Sequence, residues 1–285
     1  MQKTRLTLGF SPCPNDCFMF DALIHGKIDT KHLVFEPVIE DVETLNRMAF
    51  EGKLDITKLS YHAFAYLTKT YQLLTSGSAL GFNCGPLLIA KPETAERIKK
   101  DPEQISTMKV AIPGKYTTAN FLLSIAYPNI TQKKEMIFSG VEQAVISGET
   151  ELGLIIHENR FTYLQKGLAK ITDLGEWWES YSRSAIPLGG IVVNRNLSPE
   201  NRLLVNDLIR QSTEYAFANR ADVMPFVKQH AQEMDEKVMQ QHIDLYVNKF
   251  SVDLGETGRK AVNFLFEKAL ETKIISSLPK DLLVC

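Results

Sequence analysis

The sequence has few cysteines, no long apolar run and almost no net charge, and each shortage excludes a class of protein. Four cysteines occur in 285 residues, without a CxxC pair or a Cys/His cluster spaced like zinc ligands, so we expect neither a metal site nor a disulfide framework. No apolar run approaches the ~18 residues that cross a bilayer. Lys and Arg number 32 against 34 Asp and Glu, and this balance excludes the basic surface typical of a nucleic-acid-binding protein.

The first residues, MQKTRLTLGFSP, also lack an apolar segment of signal-peptide length. We therefore expect a soluble, cytoplasmic protein that binds a small molecule and neither nucleic acid nor membrane. With 44% hydrophobic and 23% charged residues, the composition is that of a globular chain long enough for about two domains. The sequence leaves the oligomeric state open.

Strand and helix patterns alternate along the chain, which predicts an α/β protein with largely parallel sheets. In the first half, the pattern predicts a strand at 6–10, a loop at 11–16, a helix at 17–25 that Asn15 or Asp16 caps, a strand at 33–37, a helix at 42–51, a strand at 54–59 and a helix at 61–69. The second half repeats the plan with a strand at 109–112, helices at 119–126 and 141–146, and a buried strand at 152–157.

Two segments that combine Pro and Gly with β-branched residues, 78–90 and 184–193, are typical of chain crossings between domains. They divide the chain into a larger lobe, 1–88 with 191–285, and a smaller lobe, 89–190. The strongly helical segment 199–271 is expected to cover the sheet of the larger lobe. Two such lobes place a ligand cleft where the carboxyl ends of their strands meet.

Polar residues at the predicted strand ends are the candidates for ligand contact. Thr117 and Thr118 stand at a turn and helix start, where backbone N–H groups suit a carboxylate. Thr117 or Thr118 is expected to cap the helix at 119–126, and Thr118 could have no role beyond such a cap. Lys58 closes an apolar strand before Leu59 and Ser60, and a lysine there either extends to solvent or faces an anion in the cleft.

His157 ends the most apolar strand of the second half, where a partly desolvated imidazole suits a general base. The same position also suits a histidine that simply bonds a backbone carbonyl. Glu158 follows directly, but in a continuing strand its side chain would point to the opposite face. The remaining histidines are expected to be surface or packing residues: His25, His32, His62, His230 and His242.

Several long strings resemble the 1,4-dihydroxy-6-naphthoate synthase family of the futalosine route to menaquinone. They are SPCPND with Phe18, EDVETLN at 40–46, TKLSY at 57–61, the paired threonines at 117–118, GLIIHE at 153–158 with RFTY at 160–163, and YVN at 246–248. The strings are uncommon and keep one order from about residue 6 to residue 260.

The resemblance implies a bilobal, type II periplasmic-binding-protein-like fold and a lyase that acts on cyclic dehypoxanthine futalosine. It implies a proton acceptor at His157 and substrate contacts at Lys58, Leu59, Ser60, Thr117 and Thr118, with Asn15, Asp16 and Arg160 as further candidates. Such a reaction releases a dihydroxyacetone-type fragment from a carboxylated substrate. Because aromatisation of the product supplies the driving force, we expect no cofactor.

Two alternatives remain beside this interpretation. Chorismate dehydratase shares the fold and is expected to lack the SPCPND and IIHE strings. A cytosolic sensor that closes on a carboxylated aromatic without turnover would usually carry a DNA-binding helix-turn-helix, whereas this sequence starts directly with a strand.

Overall fold

The computed structural model describes residues 3–231, 235–277 and 281–284, which form two compact units. Unit 1 comprises Met1–Gly81 and Pro187–Cys285, and unit 2 comprises Phe82–Ile186. The predicted boundary between residues 88 and 89 falls inside a strand, Leu87–Ala90, which lies wholly in unit 2.

The strands and helices follow each other as the alternating pattern predicts. In chain order, the strands are β1 (Thr4–Phe10), β2 (Leu33–Ile39), β3 (Ile56–Ser60), β4 (Tyr71–Leu73), β5 (Ala79–Gly81), β6 (Leu87–Ala90), β7 (Val110–Ile112), β8 (Lys133–Glu135), β9 (Leu152–Ile155), β10 (Ala169–Asp173) and β11 (Ile186–Asn194). The α-helices are α1 (Pro14–Ile24), α2 (Val42–Phe50), α3 (Tyr61–Leu67), α4 (Pro92–Lys100), α5 (Thr118–Ala126), α6 (Val141–Ser147), α7 (Asn159–Thr162), α8 (Leu174–Ser182), α9 (Pro199–Ala218), α10 (Arg220–His230), α11 (Glu236–Tyr246), α12 (Lys249–Val252) and α13 (Gly255–Glu271).

Both sheets are mixed: along each strand order most strands run in one direction, as predicted, but one strand runs in the opposite direction, which the prediction of largely parallel sheets did not include. In unit 1 the order is β2-β1-β3-β11-β4, with β5 paired to β11. β1 is parallel to β2 and to β3, whereas β11 is antiparallel to β3 and to β4. In unit 2 the order is β10-β6-β9-β7-β8, and β6 is antiparallel to both of its neighbours. The reversed strands β6 and β11 are those that follow the two crossings between units, so the β-α-β pattern used for the prediction does not apply to them.

The core of unit 1 lies between its sheet and the helices of the C-terminal segment. Leu8 and Phe10 of β1 are fully buried and belong to one apolar cluster with Leu208 and Ile209 of α9. The α10 and α11 helices contribute further residues to the same cluster, among them Val223 and Ile243. The prediction that the helical tail covers the first sheet is therefore confirmed.

The core of unit 2 is smaller and lies between its sheet and α6. Ile89 and Ile155 pack with Val141 and Val145 in one apolar cluster. The α6 helix ends at Gly148, whose φ of +80° is the left-handed conformation that the glycine permits at a helix C-cap.

The first helix begins earlier than predicted. Pro14 lies in its first turn. Proline has no backbone N–H, but a residue in the first turn of a helix would make no intrahelical hydrogen bond with that group, so proline is favourable there. Neither Asn15 nor Asp16 caps the helix, because both residues lie inside its first turn and the N-cap position is Cys13. Their side chains are thereby available for other contacts. Among the described residues, no helix combines the length and apolar character needed to cross a bilayer.

Candidate functional site

Lys58 is buried in unit 1 and forms an ion pair with Asp16. Its Nζ atom lies 2.8 Å from Asp16 Oδ1, and both side chains are almost inaccessible to solvent. Of the two predicted alternatives, extension to solvent is therefore wrong, and the anion that Lys58 faces in this structure is a carboxylate of its own unit. A buried ion pair of this kind is costly to form and costly to break.

The Asp16 carboxylate collects further donors from the loop that follows β1. Ser11 donates to Oδ2 through its backbone N–H at 3.1 Å and through its hydroxyl at 2.7 Å. Asn15 donates its Nδ2 to Oδ1 at 2.8 Å. We call Ser11, Asn15, Asp16 and Lys58 the Lys58 cluster. Each carboxylate oxygen thus accepts two hydrogen bonds, which is the satisfaction that a buried charge requires.

The residues after Lys58 are held by α2 and β11. Asn46 of α2 accepts the Ser60 N–H on its Oδ1 at 3.1 Å and donates to the Ser60 hydroxyl at 3.3 Å. Leu59 is fully buried, and its backbone lies close to Gly189 of β11. A Cβ atom at position 189 would lie only 2.9 Å from the Leu59 carbonyl oxygen, so this close approach of the strands requires the glycine. The predicted Lys58, Leu59 and Ser60 contacts thus lie on a rigid strand end.

Of the two threonines predicted as helix caps in unit 2, Thr117 is the cap of α5. Its Oγ1 accepts the Asn120 N–H at 3.2 Å and donates to the Gly114 carbonyl at 2.9 Å. Thr118 is the first residue of the helix, and both threonines are buried. The start of this nine-residue helix presents N–H groups and the positive end of the helix dipole, which suit a carboxylate.

We expect Thr117→Ala to destabilise unit 2 by about 1 kcal/mol, because the substitution removes the cap. Thermal unfolding checks this loss, and Thr117→Ser, which keeps the hydroxyl, is the matched control. Substrate affinity measured on the same variants tests ligand contact separately. If Thr117→Ala unfolds at the wild-type temperature, the capping interpretation is wrong.

His157 does not continue β9, and this corrects the predicted strand at 152–157. The strand ends at Ile155, and His157 has a φ of +57°, in the left-handed region that non-glycine residues rarely occupy. The imidazole packs edge-on against Phe138 with 5.0 Å between ring centroids. A residue held in this conformation is over-determined by its surroundings, which is common at functional sites.

Glu158 lies on the same side as His157, so the expectation that it points to the opposite face is wrong. One carboxylate oxygen and one imidazole nitrogen approach within 4.8 Å, and Glu158 is buried whereas His157 is partly exposed. The left-handed turn at His157 breaks the two-residue alternation of the strand on which the expectation rested.

The short helix α7 that follows His157 is anchored on two sides. Asn159 donates to Glu142 Oε2 at 2.5 Å, and Arg160 donates to Asp173 Oδ2 at 2.9 Å and to the carbonyl oxygen of Gly85. Asp173 in turn caps α8 through its other oxygen. Arg160, a candidate for substrate contact, thus has an anchoring role in this structure.

Burial suppresses the reactivity of two of the cysteines. It raises the pKa of the Cys84 thiol to about 12, and it raises the pKa of the Cys17 thiol further. Neither side chain is a thiolate near neutral pH, so neither is a nucleophile.

Burial also lowers the pKa of the Lys133 ammonium, whose Nζ donates to Asn120 and Ser124 on α5.

Sequence patterns miss two residues that complete these clusters. His242, expected to be a surface or packing residue, is fully buried on α11, and its Nε2 lies 2.9 Å from Asn15 Oδ1. Asp173, the partner of Arg160, falls outside every motif. No local signal marks the contact of His242 with Asn15 or that of Asp173 with Arg160, because each partner lies elsewhere in the sequence.

The sequence matches that of known proteins over nearly its full length. The profile of a family described as menaquinone biosynthesis matches residues 6–271. A protein of Thermus thermophilus named 1,4-dihydroxy-6-naphthoate synthase is 42% identical over 279 residues, which cover 98% of this chain and 99% of that protein.

The fold of this chain is similar to that of solved structures. A protein of Archaeoglobus fulgidus superposes with a TM-score of 0.87 at 33% identity and covers 95% of this chain and 98% of its own. The alkanesulfonate-binding protein SsuA of Xanthomonas axonopodis pv. citri, bound to MOPS, has a TM-score of 0.68 at 12% identity, with 100% of this chain and 97% of that chain covered. At that identity the likeness concerns the fold alone, and the predicted periplasmic-binding-protein-like fold is confirmed.

Proposed function

The chain belongs to the menaquinone biosynthesis family, as a relative of the 1,4-dihydroxy-6-naphthoate synthases, and on that premise we propose that this enzyme is a carbon–carbon lyase of the futalosine route. Its substrate would be cyclic dehypoxanthine futalosine, and its products 1,4-dihydroxy-6-naphthoate and a dihydroxyacetone-type fragment. The near-complete match to a protein of that name carries the proposal. We also expect the enzyme to act in the cytoplasm.

His157 is the proposed proton acceptor. The partly exposed imidazole lies two residues after the end of β9 and packs against Phe138. When it takes a proton from the bicyclic substrate, the electron pair of the broken C–H bond enters the new aromatic ring. The electron pair of the broken carbon–carbon bond leaves with the sugar-derived fragment, which takes up a proton in turn, so that His157 returns to its neutral form and no net proton is consumed. The adjacent Glu158 carboxylate would stabilise the imidazolium that this step creates.

Lys58, Leu59, Ser60, Thr117 and Thr118 are the proposed substrate contacts. The start of α5 offers N–H groups and hydroxyls to the substrate carboxylate. Lys58 is already paired with Asp16, so it would offer its remaining N–H donors to the hydroxyls of the sugar-derived part. Asn15 and Asp16 then act by holding Lys58, and Arg160 acts by anchoring the segment after His157.

The test is turnover of cyclic dehypoxanthine futalosine by the purified protein in a buffer that contains EDTA. We expect the naphthoate absorbance to rise and mass spectrometry to detect the three-carbon fragment in equal amount, because the proposed reaction needs no cofactor. Chorismate, the substrate of the rival dehydratase, serves as the control and should remain unchanged.

Two outcomes would contradict the proposal. Consumption of chorismate would assign the dehydratase reaction instead. Binding of the substrate without release of either product would assign a binding module, the other alternative that the sequence leaves open.

A further inference from the structure

His242 is a buried imidazole with a defined polar partner. It lies on α11, where its ring packs against Tyr246 with 4.6 Å between centroids, and it is completely inaccessible to solvent. Its Nε2 atom is 2.9 Å from Asn15 Oδ1, across 227 residues of sequence. This contact joins His242 to the Lys58 cluster.

The hydrogen-bond chemistry of the cluster determines which atom of His242 carries a proton. The Asp16 carboxylate accepts hydrogen bonds and does not donate them, so Asn15 must present its NH₂ group to Asp16, at 2.8 Å. The amide oxygen of Asn15 then faces His242. Because that oxygen can only accept, Nε2 of His242 must carry the hydrogen.

The contacts therefore form one directed series from His242 through Asn15 and Asp16 to Lys58. Every side chain in the series is buried, so water cannot replace a missing donor cheaply. Without the donor from His242, the Asn15 oxygen would lose a hydrogen bond that helps to orient the Asn15 amide. That amide donates to the oxygen of Asp16 that accepts from Lys58, so a shift of the amide would change the position of this oxygen and of the Lys58 ammonium paired with it, while Ser11 still holds the other oxygen.

We propose that His242 is a positioning residue for substrate binding, and that it orients Lys58 through Asn15 and Asp16. The inference rests on the proposed role of Lys58 as a substrate contact, and it adds a residue on α11 to that site. A purely packing role would require only the volume of the imidazole. The proposed role requires a hydrogen-bond donor at the Nε2 position.

Two substitutions separate these roles. His242→Gln keeps an amide donor at nearly the reach of Nε2, whereas His242→Met keeps a similar volume and has no donor. We expect KM to rise about tenfold in His242→Met with a smaller change in kcat, and to return to near the wild-type value in His242→Gln, since a lost hydrogen bond corresponds to about that factor. His25→Met, at an exposed histidine of α1's C-terminus, is the control and should leave KM unchanged.

A second measurement uses the wild-type protein alone, without substrate and without a variant. Long-range ¹H–¹⁵N NMR of the free wild-type protein should show the hydrogen of His242 on Nε2. A His242 that carries its only ring hydrogen on Nδ1, or a folded His242→Met with the wild-type KM, would overturn the proposal. If the wild-type protein makes no naphthoate, the proposed function fails, and the NMR experiment still decides the proton position of His242.

Discussion

His157→Ala is expected to lower kcat by about 10²–10⁴-fold while substrate binding persists, because the substitution removes only the proposed proton acceptor. The neighbours of the imidazole include Phe138, which packs edge-on against it, and the Glu158 carboxylate within 4.8 Å. Single-turnover measurements with cyclic dehypoxanthine futalosine separate the chemical step from product release and check the loss.

The matched control is His32→Ala. His32 forms a hydrogen bond with Asn201 in unit 1 and belongs neither to the Lys58 cluster nor to the surroundings of His157. This variant should turn over like the wild type. Added imidazole should restore part of the activity of His157→Ala, as expected when a missing base is supplied from solution. Equal rates for His157→Ala and the wild type would instead assign the proton to another group and make His157 structural.

Asp16→Ala is expected to reduce the free energy of unfolding by about 3–5 kcal/mol, because it leaves the buried Lys58 ammonium without its carboxylate. The two side chains are 7% and 1% exposed, so solvent cannot compensate the charge. Urea unfolding followed by circular dichroism measures the loss. Hydrogen exchange should locate it in β1 and β3, the strands that carry Ser11's loop and Lys58.

Glu36→Ala is the control for this prediction. Glu36 pairs with Arg5 at 2.6 Å in the same sheet, but these side chains are 46% and 74% exposed. An exposed pair contributes about 0–1 kcal/mol, so this variant should be nearly as stable as the wild type. The double variant Asp16→Asn with Lys58→Met removes both charges and should recover much of the stability lost in Asp16→Ala. If Asp16→Ala costs no more than Glu36→Ala, the pair is not the buried one described here.

The helix cap Thr117 and the positions of Lys58 and His157 near strand ends could be predicted from the sequence. Thr117 stands before an apolar helical repeat and caps it, as residue type and position predict. The sequence also indicates Lys58 and His157, since each is a polar residue near the end of a predicted buried strand. One local prediction is wrong: the pattern predicts that the first helix begins at residue 17, whereas it begins at Pro14, because a proline is favourable in the first turn of a helix.

The partners of these residues could not be predicted. The φ of +57° at His157, which places Glu158 beside the imidazole, depends on anchors at Glu142, Asp173 and Gly85. Hydrophobic periodicity carries no information on such a turn. The antiparallel direction of β6 and β11 was missed for a related reason, since strand direction depends on the path of the chain between units.

The sequence by itself determined the family, through the strings that resemble it and the match of its profile to residues 6–271. Apolar periodicity and helix-start chemistry act over a few neighbouring residues, and they determined the α/β class and placed Lys58 and His157 near the carboxyl ends of strands. Only the tertiary structure decided what these residues touch. Asp16 meets Lys58 across 42 positions, and His242 meets Asn15 across 227. These hydrogen bonds form because the packing of the folded chain brings two buried polar groups within about 3 Å of each other. The order of residues in the sequence does not give that distance.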